Sequence, residues 1–206
     1  QLEASIEAME LAFRMQFAVP EAFDLKQETK TTLDSYGGSD YAKGCLLARR
    51  LVERGVRFIE ITCPLTHRNN SPWDQHSNLV KYHNENALTT DQPVAALIRD
   101  LKQRGLLEET IVIWAGEMGR TPHTPEIIPT VGRDHHVNGY SIFMAGGGFQ
   151  GGMTFGETDE FGHKAVENVV NHYDYHATLL HLLGLDPDRL VYEHNGRERK
   201  LISQNP

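Results

Sequence analysis

The chain has 206 residues, 39% of them hydrophobic and 23% charged, a globular composition with apolar mass for a substantial core. Twenty-eight acidic against 20 basic residues leave a net charge of −8, which argues against nucleic acid or an anionic membrane as the main partner. Cys45 and Cys63 are too few for a disulfide framework and lack metal-ligand spacing. No apolar run is long enough to span a bilayer, and no signal peptide is read. Eleven histidines are the compositional outlier. The first residue is Gln1 and not Met, from which a processed or truncated piece of something longer is an expectation.

In chain order, Leu2 to Phe17 carries apolar residues at helical spacing and predicts an amphipathic helix that Pro20 ends. A polar, turn-rich stretch follows, so that residues 1–39 read as an N-terminal helix and its connection. Asp40 to Arg54 predicts a second helix, with Ser39 as N-cap and Gly55 as its stop. Val56 to Thr62 reads as a strand emptying into a polar loop, Pro64 to Pro72, and then Trp73-Asp74-Gln75-His76. Asn78 to Arg104 predicts one long helix, kinked near Pro93 and stopped by Gly105. Ile111 to Ala115 is short, β-branched and aromatic, and reads as a buried strand. Tyr140 to Ala145 is a second such run, closed by Gly146-Gly147-Gly148. Val166 to Leu183 predicts the last helix. Strand, helix, strand is the pattern of a right-handed crossover in a parallel sheet.

Groups able to do chemistry cluster at the predicted strand ends, where open α/β sheets place their ligands. They are Asp74 with His76, Glu117 on a glycine-flanked turn, Asp134-His135-His136, and Asp174 with His176 opening the last helix. Carboxylates mixed with imidazoles suit Zn, Mn or Fe, and an all-oxygen set favours Mg or Ca. A plainer role competes with each. Asp74-x-His76 also fits an Asx-turn with a surface histidine, and Glu117 a helix cap or an ion pair with Arg120. His176 and His181 fit satisfied core histidines, and the triple glycine fits a tight turn better than a phosphate cradle. Adjacent histidines seldom both serve packing, so His135-His136 is the sharper signal.

The pieces WDQH, DLKQRGLLEETIVIWAGEMGRTP, GRDHH, AGGGFQGG and YDYHATLLHLLGLD together resemble the C-terminal half of the alkaline phosphatase and sulfatase superfamily. In particular they resemble the bacterial DUF1501 proteins, often labelled sulfatase-like. The resemblance implies a three-layer α/β/α sandwich with a largely parallel sheet, the chain forming one partial domain over 1–206. It implies an acidic metal ligand at Glu117, a His ligand at His135 or His136, and further ligands at Asp74 and His76. Met118 stands where the family usually has a second metal-binding His. The N-terminal strand that carries the superfamily's nucleophile is not found, and neither cysteine has the C-x-P-x-R context of a sulfatase.

The reading is therefore a metal-dependent hydrolase domain acting on a small anionic sulfate or phosphate ester, with no nucleic-acid or membrane partner. A divalent metal (Zn, Mn, Ca or Mg) is held by Asp74, His76, Glu117 and His135, with His136 and His176 in support. Arg120 neutralises the ester oxygens through its planar guanidinium fork. The competing reading is a catalytically silent relative that serves as a binding or structural module.

Overall fold

The computed structural model of the chain describes residues 2–63, 73–124 and 130–202. The expected polar loop from Pro64 to Pro72 lies outside them. Its contacts divide the chain into two compact units. One comprises Gln1–Thr110 with Ile127–Gly132, the other Ile111–Glu126 with Arg133–Pro206.

The first unit is helical: α1 (Leu2–Phe23), α2 (Lys30–Tyr36), α3 (Asp40–Glu53) and α4 (Leu79–Gln103). Each well-capped start follows from a short polar side chain. Thr29 Oγ1 accepts from Thr32 N ahead of α2, and Ser39 Oγ accepts from Ala42 N ahead of α3. α3 begins where the sequence places it and gives way at Arg54 and Gly55, whose φ is +78°. α4 is likewise one long helix with Pro93 inside it. α1 departs from expectation, since it carries Pro20 within its last turn and ends at Phe23. The reason is tertiary. Arg50 donates from Nε to the Ala22 carbonyl at 2.7 Å and from Nη2 to the Glu21 carbonyl at 2.8 Å, satisfying acceptors that a helix end leaves open. The strand expected over Val56 to Thr62 does not form, and Phe58 is 84% exposed.

Tyr36, Ala42, Cys45, Leu46, Ala96, Leu97 and Leu101 make the apolar core of this unit. Inside it lies a buried ionic cluster. The Arg49 guanidinium reaches Glu28 at 2.7 Å, Glu53 at 2.6 Å and Asp100 at 2.9 Å. Arg50 adds a second contact to Glu28. Arg104 joins Glu53 at 2.7 Å to Asp100 at 2.6 Å, and the Tyr36 hydroxyl donates to Asp100 at 3.0 Å. Burial first, then the Asp100 charge, pushes the Tyr36 hydroxyl well above its ordinary value, which keeps it a donor.

The second unit corrects the expected fold class. Among its described residues it holds no largely parallel sheet and no α/β/α sandwich. Its described strands form four two-stranded antiparallel pairs: β1 (Val112–Trp114) with β4 (Phe143–Ala145), β2 (Gly119–Arg120) with β3 (His135–His136), β5 (Glu157–Thr158) with β6 (Ala165–Glu167), and β7 (Tyr192–His194) with β8 (Arg197–Arg199). A parallel crossover needs a strand on both sides of its helix. Among the described residues before α4 no strand forms, so this crossover is not built there. Between β1 and β4 the chain runs through the β2–β3 pair and no described helix, which suits an antiparallel return.

The apolar run at β1 is also not a buried strand, since Ile113 is 38% and Trp114 44% exposed. The glycine turn after β4 is tight, with all three φ angles positive, and a side chain at Gly147 would strike Ile111. α5 (His172–Leu182) starts later than expected because Val166 is spent in β6.

Candidate metal centre

Asp74 and His76 are joined by a backbone turn, His76 N donating to the Asp74 carbonyl at 3.1 Å, and His76 Nε2 lies 2.9 Å from Asp74 Oδ1. The turn is anchored from both sides. Gln75, between them, is buried. Just beyond, Asn78 N donates to Thr130 O and Leu79 N to Val131 O, both at 3.0 Å, so α4 opens against the 130–132 segment. Gly132 passes so close that a Cβ there would lie 2.0 Å from the His76 carbonyl carbon. Only glycine admits that approach. Three residues on from Gly132 stands His135.

β2 and β3 set the next groups. Arg120 pairs in register with His135, and Gly119 with His136. Thr121 closes the pair twice, its N donating to the Asp134 carbonyl at 2.9 Å and its Oγ1 accepting from Asp134 N at 3.1 Å. Consecutive strand residues face opposite sides, so His135 and His136 point away from each other. Glu117 lies 3.9 Å from Arg120, with its own side chain 69% exposed and that of Arg120 24%. The ion pair weighed against a ligand role for Glu117 is thus present at long range.

Within one unit, Asp74 and His76 offer a carboxylate oxygen and an imidazole nitrogen from a single turn; the expected His135 belongs to the other unit. Ligands about 2 Å from one ion stand within about 4 Å of each other, and the 2.9 Å between His76 Nε2 and Asp74 Oδ1 meets that. An imidazole beside a carboxylate suits Zn or another first-row ion rather than Ca or Mg.

The other expected ligands lie outside this group. His136 meets the backbone carbonyl of His163 through Nε2. His176 Nδ1 sits 2.6 Å from the His172 carbonyl, inside α5. Asp174 completes a capping box with Asn171. Asn171 Oδ1 accepts from Asp174 N at 3.1 Å, and Asp174 Oδ2 accepts from Asn171 N at 3.1 Å. Its carboxylate therefore has a structural use.

Two imidazoles not singled out from the sequence emerge beside His136. The His163 ring lies 4.5 Å from that of His136, and His123 stacks on His163 at 6.3 Å. Gly162-His163-Lys164, a small residue before two basic ones, is the local signal that points to His163.

One family model matches the chain over residues 1–206, described as a protein of unknown function, DUF1501. No curated protein and no solved structure matches it.

Proposed function

Because the chain belongs to the DUF1501 family, whose function is unknown, we propose from its side chains that it is a metal-dependent hydrolase domain acting on a sulfate or phosphate ester. The observation that carries this is the Asp74–His76 pair, a carboxylate and an imidazole 2.9 Å apart on one turn. With His135, the third ligand assigned from the sequence, they are the residues that would hold a divalent ion, Zn or Mn in first place. Bound there, the ion supplies Lewis-acid polarisation of the ester and a water of lowered pKa.

The remaining work belongs to the chain. Arg120, beside His135 in register, presents a planar pair of N–H donors to two anionic ester oxygens and holds them against the metal-ligand edge. Glu117, three residues earlier and mostly exposed, accepts a proton at its carboxylate from an incoming water. The cysteines are unsuited to attack. Burial pushes the Cys45 thiol up to about 11, and burial likewise raises Cys63 despite the hydrogen bond from Trp73. Water is then the nucleophile, and turnover is expected to be slow.

That last point favours the second reading, a module that binds metal and anion without chemistry. The deciding experiment is hydrolysis of 4-nitrophenyl sulfate and 4-nitrophenyl phosphate by the Zn- or Mn-loaded chain against His135→Ala. Turnover that vanishes in the variant supports the hydrolase. Metal uptake without turnover in either chain selects the silent module.

A further inference from the structure

On the side of β3 served by His136, a second group of residues surrounds an open pocket of about 780 Å³. It is lined by Pro122, His123, Asp159, Phe161, His163 and Lys164. Four of these come from the loop that joins β5 to β6. The loop is tied to itself: Asp159 N donates to the Lys164 carbonyl at 2.9 Å, Gly162 N to the Asp159 carbonyl at 2.9 Å, and His163 N to Asp159 Oδ1 at 2.7 Å. It is also tied to its neighbours, through Ala165 N to the Asn138 carbonyl at 2.8 Å and His136 Nε2 to the His163 carbonyl.

These ties decide the pocket's charge. The Asp159 carboxylate accepts backbone N–H groups of its own loop, first that of His163, which hold it below its ordinary value. It keeps its negative charge, with Oδ1 turned to His163 N at 2.7 Å, so Lys164 stands beside an ionised carboxylate. The remaining polar groups at the rim, His123, His163 and Lys164, are all able to donate, and Lys164 carries a positive charge. Between them Phe161 presents 72% of its surface to solvent beside Pro122. A phenyl ring exposed to that degree next to a cation and two imidazoles is a platform for a ring with donors set at its edge.

We propose that this pocket binds a ring-bearing phosphate or sulfate, the ring lying on Phe161 and Pro122 and the anion meeting Lys164, His163 and His123. None of the lining residues belongs to the three-ligand group, so the site stands whether or not a metal binds.

The test is calorimetric titration of the full chain, stripped of metal by chelation, with phenylphosphonate, inorganic phosphate and benzyl alcohol. Phenylphosphonate is expected to bind at least tenfold more tightly than either half alone. Phe161→Ala and Lys164→Ala, both at exposed positions that preserve the fold, each weaken it about tenfold, the loss of one charge-assisted contact or one stacked ring. His135→Ala leaves the affinity unchanged. Equal binding of inorganic phosphate and phenylphosphonate, or no effect of Phe161→Ala, overturns the proposal. Loss of binding in His135→Ala overturns it as well, by locating the anion at the metal ligands.

Discussion

Arg120 and His135 stand directly opposite each other in the two-residue β2–β3 pair. The pairing sets a guanidinium beside the imidazole proposed as a metal ligand, by backbone register. Arg120→Ala should therefore leave metal uptake intact while weakening phosphate or sulfate binding to the loaded chain. The expected loss is about 1.5–3 kcal/mol, the worth of hydrogen bonds to a charged group. Arg120→Lys should recover only part of it, since an ammonium cannot bind two oxygens in a fork. Titration of Zn-loaded wild type and variants with inorganic phosphate reads both effects, and unchanged affinity in Arg120→Ala removes the anchor.

Metal stoichiometry tests the ligand set. Asp74→Ala, His76→Ala and His135→Ala should each lower metal affinity by more than about 10–100-fold, the cost of losing even an outer partner of a ligand. Glu117→Ala and His176→Ala should retain metal, since neither residue is in the group. Elemental analysis after dialysis against a fixed Zn concentration distinguishes the sets. Equal metal content across all five variants would mean that Asp74, His76 and His135 hold none.

Gly132→Ala should disturb the same centre through the backbone. A Cβ at this position meets the His76 carbonyl carbon at 2.0 Å and Ser77 N at 2.4 Å, and both contacts are backbone, so a rotamer change cannot relieve them. Overpacking of this kind costs about 1–3 kcal/mol. A lower melting temperature together with weaker metal binding is the expected pair of results. Wild-type behaviour in both would show that the segments are not in contact.

The ionic cluster of the helical unit makes stability depend on pH. Burial alone raises the Glu28 carboxyl, but hydrogen bonds and charge from Arg49 and Arg50 outweigh it and hold the group below its ordinary 4.5. A carboxyl depressed by folding stabilises fully above its unfolded value, and that stabilisation is lost as pH falls through the folded value. Thermal unfolding followed by helical circular dichroism should therefore show a falling midpoint below about pH 4.5, and Glu28→Gln should flatten that part of the curve. Arg49→Met leaves Glu28, Glu53 and Asp100 without their shared cation and should cost about 3–5 kcal/mol at neutral pH. An unaltered acid limb in Glu28→Gln would refute the linkage.

The helices were the most legible part of the sequence, because their signals are local. Ser39 before the Asp40 run and Gly55 after it describe α3 almost to the residue. Pro20 does not end α1 because the groups that satisfy its end come from Arg50, 28 and 29 residues away and invisible to any local window. The parallel sheet misled for a related reason. Val56 to Thr62 and Ile111 to Ala115 have strand composition, but composition does not say which edge a run pairs with, or whether it pairs. Asn195-Gly196 is a local signal of a two-residue hairpin turn. Both residues have positive φ, 53° and 72°, as the two-residue turn joining β7 to β8 demands. In the site, Asp74, His76 and His135 were named from residue type and placement. His123 and His163 were not, since they gain meaning only through the rings stacked beside them.

A strand two residues long has a consequence for how this chain tolerates change in length. His135 and His136 are chemically identical neighbours turned to opposite sides, and the Thr121–Asp134 clasp, the short ladder and the contact of His136 with the His163 carbonyl decide which imidazole goes where. Slipping the ladder by one residue would exchange them, placing Asp134 or His136 where His135 now stands. The loop between β2 and β3 is not a free spacer, since Thr130 and Val131 accept from Asn78 N and Leu79 N just before the clasp. A single insertion or deletion between Asp134 and His136 would rewire both faces together, leaving the composition of the site almost untouched while abolishing its arrangement.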